Sequence, residues 1–365
     1  MTKLNFNNGQ FKIMQIADVQ EGAKVSPDTL NLISTALDKE KPDLVVFSGD
    51  QIWKHSSFKG NKSKVERVLR EITQPVVERN IPFTICFGNH DRQVGVSNEE
   101  QFEIYKKIKG FVGESEPKID GCANHVIEIN DKNGNSGFLL YLIDSHTSLK
   151  VGYDNVHQNQ IDWYKSTRDK YEKENGKVIP SIVIQHIPVP EVMQLLTEVK
   201  KGTKGAQQGF RNHAGKWYVL NKDKINKTGF MKESPADPME NSGEFAAMSE
   251  KGDVLGIYYG HDHNNSFNGK VDGIDLGYTQ GAGFHVYGPG LDRGVRIINL
   301  KENGNFNTYD LRYRDIVGKK VKEKLRFAIL QIMPTNVYDA VHRGIKIIVI
   351  LLVIILLVIG LITLF

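Results

Sequence analysis

Cysteine and export signals are scarce in this sequence. Only Cys86 and Cys122 occur, and their spacing matches neither a metal-binding motif nor a disulfide framework. The first ten residues, MTKLNFNNGQ, lack the apolar core that a signal peptide needs. Because both absences favour a reducing cytosol, we expect the body of the protein to face the cytoplasm.

A strong charge of one sign and the common nucleotide-binding motifs are also missing. The formal net charge is +4 over 365 residues, which is too small and too scattered to indicate nucleic-acid binding. The sequence contains no glycine pattern of the P-loop type and no GxSxG motif. These absences exclude the main competing classes of hydrolase.

Charged residues are absent from one long apolar stretch at residues 347–365. Its nineteen residues would form roughly 28 Å of helix, close to the ~30 Å hydrocarbon core of a bilayer. We therefore predict a single-pass transmembrane anchor, with a buried core helix as the alternative. Basic residues before it favour a cytoplasmic orientation and contact with anionic lipid, or else form a solvated basic helix: Lys319, Lys320, Lys322, Lys324, Arg326, Arg343 and Lys346.

The rest of the chain predicts an α/β fold. Short apolar runs at 11–17, 44–47 and 82–87 alternate with helical patterns at 26–38 and 62–79. Continuous apolar strands between helices are typical of a covered, largely parallel sheet. Further apolar runs lie at 138–143, 178–184 and 254–259, and residues 200–242 are rich in Lys, Gly and Asn and predict a long surface insertion. We expect a catalytic domain at 1–314, a basic amphipathic linker at 315–346 and the anchor at 347–365.

Polar residues with metal-binding side chains follow these apolar runs, usually after a glycine. Because the ligand site of an open α/β sheet lies outside the carboxyl ends of its strands, we expect their side chains to converge. Carboxylate, amide and imidazole ligands around a bridging carboxylate are typical of a two-metal site, which clamps the oxygens of a displacement at phosphorus. The residues concerned are Asp18, Asp50, Asn89, His186, His261 and His263.

The motifs that carry these residues resemble those of the calcineurin-like metallophosphoesterases. The blocks are IADVQ (16–20), SGDQ (48–51), FGNHD (87–91), QH (185–186) and GHDH (260–263). The family pattern is Asp-x-His, Gly-Asp, Gly-Asn-His-Asp/Glu, a single His and Gly-His-x-His, in this order. Four further segments are similar to the single-domain branch related to purple acid phosphatases: YLIDSH (141–146), GYD (152–154), QIDWY (160–164) and ENSGEF (240–245).

The resemblance implies a four-layer αββα sandwich, two divalent metal ions and a phosphate-ester substrate. It implies that Asp50 bridges the ions, that Asp18 and His263 bind the first, and that the second is bound by Asn89, His186 and His261. It also implies that His90 binds phosphate or protonates the leaving oxygen as the catalytic residue. Asn89 is a further predicted substrate contact, and Arg92 is added to it only because it directly follows GNHD.

Two positions depart from the family pattern. Gln20 stands where the family has the His of Asp-x-His, so it either binds the first metal as a neutral amide or hydrogen-bonds locally. Trp53 stands where purple acid phosphatases have a tyrosine that binds iron, so the tyrosinate–iron colour of that group is not expected. The metal identity is left open among Mn, Fe and Zn.

Two weaker candidates and two alternative functions complete the expectations. Asp144 and His146 follow a strand and either line the site or play a structural part, and His157 has no assigned role. The predicted function is hydrolysis of phosphate esters at the cytoplasmic membrane face. The alternatives are a membrane-tethered binding module without turnover and a phosphatase directed at lipids.

Overall fold

The protein is described by a computed structural model that covers residues 4–54, 58–226, 228–333 and 337–362, without the side chains of 337–339, 342 and 357–362. Its strands are β1 (Leu4–Asn5), β2 (Gln10–Ile16), β3 (Leu44–Ser48), β4 (Phe83–Cys86), β5 (His125–Asn130), β6 (Ser136–Leu142), β7 (Ser181–Ile184), β8 (Leu196–Val199), β9 (Gln207–Gln208), β10 (Trp217–Leu220), β11 (Phe230–Met231), β12 (Val254–Tyr259), β13 (Asn265–Ser266), β14 (Asn268–Val271), β15 (Ile274–Tyr278), β16 (Gly294–Lys301) and β17 (Phe306–Arg312).

The first two α-helices begin at residues whose side chains cap them. Ser26 accepts a hydrogen bond from the Asp28 amide before the first helix, and Asn61 caps the second by accepting from the Lys64 amide. Such caps stabilise a helix by about 1 kcal/mol. The helices are α1 (Pro27–Glu40), α2 (Lys62–Glu78), α3 (Asn98–Tyr105), α4 (Gln158–Asn175), α5 (Glu244–Ser249), α6 (Tyr313–Ile316), α7 (Lys324–Ile332) and α8 (Val337–Ile362).

Two sheets form the centre of the molecule. The five-stranded sheet has the order β17-β16-β2-β3-β4, and the seven-stranded sheet has the order β1-β5-β6-β7-β12-β15-β14. Within them, β2, β3 and β4 pair in parallel, as do β6, β7, β12 and β15. The carboxyl ends of these parallel strands therefore lie at one edge of each sheet.

Three apolar clusters show how the layers pack. One cluster lies between the inner faces of the two sheets and includes Ile13, Leu140 and Ile298. A second joins α1 and α2 to the five-stranded sheet, and a third joins α4 and α5 to the seven-stranded sheet. The layer order is helix, sheet, sheet, helix, so the α/β sandwich that the resemblance implied is observed.

Part of the predicted linker packs on the domain. The Asp28 carboxylate accepts hydrogen bonds from the backbone amides of Lys322 and Glu323. The Phe327 ring stacks on Phe284 at a centroid distance of 6.1 Å. The boundaries of the three predicted segments stay a prediction, but residues 322–327 contact the globular body.

The predicted transmembrane anchor is wrong. Among the described residues, no helix combines the length and the apolar character that crossing a bilayer requires. The charge-free part of α8 with described side chains runs from Ile347 to Leu356, and ten residues give only about 15 Å of helix, half of a hydrocarbon core. The remainder of the expected span, residues 357–365, lies outside the described side chains. The cytoplasmic orientation predicted from the basic residues before it depended on that span and therefore has no basis.

Candidate metal centre

The loops after the parallel strands bring the predicted ligands of both sheets together. Between two loops of the five-stranded sheet, the backbone amide of Gln20 donates to the backbone carbonyl of Asp50 at 2.8 Å. Between the sheets, the Asp18 carboxylate accepts from the His261 amide at 3.0 Å, and the His186 ring bonds the Ser48 carbonyl at 2.9 Å. These cross-sheet contacts fix the loops of one sheet against those of the other.

Three buried side chains form the core of this site, and we call them the central cluster: Asp18, Asp50 and His186. One ligand atom from each lies within 4.8 Å of the others. His186 Nε2 lies 3.2 Å from Asp50 Oδ2 and 3.9 Å from Asp18 Oδ1. His263 joins from the side, with Nε2 3.3 Å from Asp18 Oδ1. The distances are those of ligands around a small cation.

Several ligating atoms here are buried without a hydrogen-bond partner among the described residues. They are Asp18 Oδ1, Asn89 Oδ1, His186 Nε2 and His261 Nε2. An unsatisfied buried polar atom costs about 1–3 kcal/mol, so four of them in one site need an explanation. A bound cation satisfies such lone pairs, and the donor set therefore fits divalent metal ions.

The imidazoles are oriented for metal binding by backbone carbonyls. His186 Nδ1 lies 2.9 Å from the Ser48 carbonyl, and His263 Nδ1 lies 3.0 Å from the Tyr287 carbonyl. Because a carbonyl only accepts, each Nδ1 carries a proton, and Nε2 is the nitrogen left for a metal ion, beside Asp50 and Asp18 in His186 and beside Asp18 in His263. This arrangement fixes the tautomer and the ring orientation of metal-binding histidines.

Electrostatics in the central cluster favour a cation. Burial lowers the pKa of His186, but the carboxylates of Asp50 and Asp18 outweigh burial and raise it to about 10. Burial likewise opposes the ionisation of Asp50, yet His186 and His90 hold the pKa of Asp50 well below its usual range. The carboxylates that retain a proton on His186 would equally attract a metal ion in its place.

Glycines before the ligands are required by close approach. A Cβ at Gly88 would lie 2.3 Å from Asp50 Oδ1, and one at Gly260 would lie 2.7 Å from Asp18 Oδ2. The ligand backbones are themselves strained, since φ is 51° at Asp18, 53° at Asp50 and 73° at His261. Backbone strain of this kind persists where surrounding contacts over-determine it, and it clusters at functional sites.

Asp91 holds the Asp50 loop in this conformation. Its carboxylate accepts from the backbone amides of Gly88, Asp50 and Gln51 at 2.8 Å each, and from Ile52 at 3.3 Å. Burial and the charge of Asp50 raise the pKa of Asp91 to about 7. With both oxygens occupied by amides, Asp91 holds the loop that carries Asp50.

Gln20 reaches the centre through its amide nitrogen. The side chain is buried, and Nε2 donates to Asp50 Oδ2 at 2.9 Å. The residue that replaces the family histidine thus contacts the predicted bridging carboxylate as a hydrogen-bond donor. Metal binding by Gln20 stays a prediction and would require the amide oxygen to face the ion.

His90 and Arg92 differ in their relation to the centre. The His90 amide donates to Asp50 Oδ1 at 2.7 Å, and its Nε2 lies 4.0 Å from Asp50 Oδ2. The His90 side chain is 35% exposed, and its Nδ1 bonds Gln93 Oε1 at 2.9 Å. Arg92 is exposed, and its side chain forms no hydrogen bond or ion pair within the described part of the chain. Substrate binding by Arg92 stays a prediction without a supporting contact.

Two tyrosines that sequence reasoning did not select flank the centre. The Tyr153 ring lies edge-on to His261 at 4.3 Å, and Tyr287 stacks on His263 at 4.3 Å. Burial and nearby carboxylates raise the pKa of both phenols. Tyr153 lies in the GYD text that resembled the family, which was a usable signal, whereas Tyr287 follows a Gly-rich turn without one.

A buried carboxylate near His263 and Tyr287 was also missed. Glu233 accepts from the Asn264 amide at 2.7 Å, and the Tyr287 hydroxyl donates to it at 3.4 Å. Burial raises its pKa to about 7, although the nearby His263 acts in the opposite direction. Glu233 lies in the insertion at 200–242, where no periodicity singled it out.

Comparison with known proteins gives similar relatives in plants and yeast. The chain is 29% identical to "Probable inactive purple acid phosphatase 14" of Arabidopsis thaliana, over 82% of this chain and 77% of that protein. It is 28% identical to "Phosphatase DCR2" of Saccharomyces cerevisiae, over 83% of this chain and 54% of that protein. Among solved structures, GAP50 of Plasmodium, described as the anchor in the inner membrane complex, superposes with a TM-score of 0.51 at 11% identity, covering 88% of this chain and 94% of that one. That likeness shows the fold alone.

The match to a family model covers most of the domain. The model described as calcineurin-like phosphoesterase matches residues 11–265, which include every predicted metal ligand from Asp18 to His263. The resemblance read from the motifs is thereby confirmed, together with its relatedness to purple acid phosphatases. This chain belongs to the calcineurin-like phosphoesterase family.

Proposed function

We propose that the protein hydrolyses phosphate esters at a dinuclear metal centre. The observation that carries the proposal is the convergence of buried, unpartnered ligand atoms around the central cluster. Asp50 is proposed as the bridge and Asp18 with His263 as ligands of the first ion. Asn89, His186 and His261 are proposed as ligands of the second ion.

The residues of the chain would divide the work of the reaction. When bound, two divalent ions would polarise the phosphate oxygens and lower the pKa of a water molecule. Asp91 keeps Asp50 in place through four backbone amides, so the site is organised before substrate binds. The half-exposed His90 side chain lies beside the buried Asp50, where it would be within reach of an ester on the centre.

His90 is proposed as the proton donor to the leaving oxygen. Its Nδ1 bonds Gln93 Oε1, which leaves Nε2 on the side of Asp50 and of the open site. A positioned general acid contributes typically 10²–10⁴-fold. His90→Ala should therefore cost most with alkyl phosphates, whose leaving group needs a proton, and least with p-nitrophenyl phosphate.

Tyr153, beside His261, is proposed as a further substrate contact. Its hydroxyl forms no hydrogen bond with any described residue, although most of its ring is covered by His261 and by Phe210, whose ring stacks on it at 5.7 Å. A phenol held in this way offers a free donor beside the second-metal ligands. A phosphate oxygen is an acceptor of the required kind.

A binding module without turnover is the second candidate. It is favoured by Gln20, which supplies a neutral amide where the family has imidazole, and by the name "probable inactive" carried by a similar plant relative. An amide is a poorer ligand for a transition metal, so the first ion would be held more weakly. Such a protein would bind metal and phosphate but leave esters intact.

The test separates the two candidates with the full-length chain. The protein is stripped of metal, reloaded with Mn²⁺, Fe²⁺ or Zn²⁺ separately, and assayed with p-nitrophenyl phosphate and its bis ester. Asp50→Asn should abolish metal-dependent turnover, while the matched surface change Asp38→Asn, which only breaks an exposed pair with Arg79, should not. Absence of turnover with every metal, despite about two bound ions per chain, would leave the binding module.

A further inference from the structure

A second group of metal-binding side chains lies on the loop between β6 and α4. His146 follows β6, His157 directly precedes α4, and Asp154 lies between them. The loop closes on itself, because the Asp154 amide donates to the Thr147 carbonyl at 3.0 Å. We call His146, Asp154 and His157 the outer cluster. One ligand atom from each lies within 4.8 Å of the others.

The far nitrogen of each imidazole in the outer cluster is already fixed. His157 Nδ1 lies 2.7 Å from Asp120 Oδ2, and His146 Nε2 lies 2.7 Å from Gln160 Oε1. Such partners behind a ligand histidine set its tautomer and raise its basicity. The other ring nitrogen of each histidine is left for a metal ion, and that of His157, Nε2, lies 3.4 Å from Asp154 Oδ1. The outer cluster therefore has the ligands and the supporting hydrogen bonds of a cation site.

We propose that the outer cluster binds a further divalent metal ion of the zinc type, separate from the dinuclear centre. Two imidazoles and one carboxylate are a ligand set that Zn²⁺ accepts, with at least one position left for water. All three side chains are half-exposed, so an ion can enter from solvent.

A bound ion would stiffen the loop that borders the catalytic site. The Thr147 hydroxyl donates to the Asn89 carbonyl at 3.3 Å, and Tyr153 of the same loop contacts His261. The outer cluster thus lies at the base of the segment that carries both contacts. Metal binding here would order this segment without supplying a ligand to the centre itself.

The rings must tilt for this binding. The His146 and His157 rings are stacked, with centroids 3.9 Å apart and an angle of 17° between their planes. Nearly parallel lone pairs do not converge on one ion, so the ring edges have to turn towards each other. The competing arrangement is a purely ionic one, in which His157 stays paired with Asp120 and Asp154.

The experiment measures Zn²⁺ binding with the catalytic centre disabled. In the full-length chain, His186→Ala with His263→Ala removes central ligands and leaves the outer cluster intact. Calorimetric titration with Zn²⁺, and visible absorption with Co²⁺, should then report about one bound equivalent. Adding His157→Ala or Asp154→Asn should abolish that signal. The matched change Asp162→Asn, on the exposed face of α4 where it bonds Gln158, should preserve it.

Two outcomes would overturn the proposal. One is no Zn²⁺ binding by the variant that lacks the central ligands, which would establish the ionic arrangement. The other is binding that persists after both His157→Ala and Asp154→Asn. Asp154→Asn keeps the side-chain shape, so it remains informative if His157→Ala disturbs the start of α4. Neither outcome depends on turnover, and a failure of the proposed hydrolysis would leave this test unaffected.

Discussion

The central and outer clusters place the same residue types in opposite settings. In the central cluster the side chains are buried, a backbone carbonyl orients the His186 imidazole, and His186 Nε2 has no hydrogen-bond partner among the described residues. In the outer cluster the side chains are half-exposed, and His157 pairs with carboxylates through both ring nitrogens. The first setting makes an unbound state costly, whereas the second lets charged side chains satisfy one another.

This difference separates a site that the fold imposes from a site that one loop permits. Asp18 and Asp50 sit on strained backbone, and the cluster joins loops of both sheets, so the ligand positions follow from the packing of the whole domain. The outer ligands lie within residues 146–157 and depend on one hairpin and the first turn of α4. We therefore expect tight metal binding and large functional effects at the centre, and weaker metal binding with small effects outside it.

The largest expected contrast is between two histidine substitutions. His186→Ala should reduce turnover by at least about 10³-fold, beyond the 10–100-fold that is typical of residues behind a ligand. His157→Ala should change turnover by less than about tenfold, because it touches no group in the centre. Steady-state kinetics with p-nitrophenyl phosphate measures both. Similar losses in the two variants would mean that the outer loop is part of the catalytic machinery.

A smaller loss of turnover is expected for a change at Asp91, which holds the loop that carries Asp50. Asp91→Asn keeps the shape but replaces one carboxylate oxygen by a donor that opposes the amides of Gly88 and Asp50. Turnover should fall about 10–100-fold, with lower metal content. Metal analysis beside kinetics checks this, and Asp38→Asn serves again as the surface control. An unchanged metal content with full activity would show that the Asp50 loop holds its strained conformation without Asp91.

Much of this architecture could be predicted from the sequence. Strands predicted at 11–17, 44–47 and 254–259 are observed at Gln10–Ile16, Leu44–Ser48 and Val254–Tyr259. Continuous apolar runs mark buried strands, and parallel pairing puts their carboxyl ends at one edge of a sheet, so Asp18 and Asp50 were expected to meet. That His186 joins them from a second sheet followed from the family resemblance and not from the strand pattern.

The parts that the sequence did not predict depend on contacts without periodicity. Tyr287 reaches His263 from a Gly-rich turn, and Glu233 reaches Asn264 from an insertion whose apolar residues follow no pattern. The outer cluster depends on how a loop closes, and no spacing rule gives that. The apolar stretch at residues 347–365 led instead to a wrong prediction, because composition alone does not establish a helix that crosses a membrane.

A gain at the centre is expected from restoring the family residue. Gln20→His places an imidazole beside Asp50, and histidine tolerates the backbone φ of 42° at this position better than most residues. Retention of the first metal against a chelator should rise roughly tenfold, since imidazole is the better ligand. Gln20→Ala is the control and should lower retention or leave it unchanged. Equal retention in all three proteins would show that residue 20 does not contact the metal.

The smallest expected effect concerns Tyr153, which lies on the loop of the outer cluster and contacts His261. Tyr153→Phe keeps the ring against His261 and Phe210 and removes only the hydroxyl, so metal content and folding should not change. If the hydroxyl donates to the ester, KM should rise several-fold, in keeping with a net contribution of about 1 kcal/mol for one hydrogen bond. Tyr309→Phe, which loses an exposed hydrogen bond to Glu40, is the matched control. An unchanged KM for both monoester and diester would mean that Tyr153 only packs against its neighbours. Its loop would then act through the outer cluster alone.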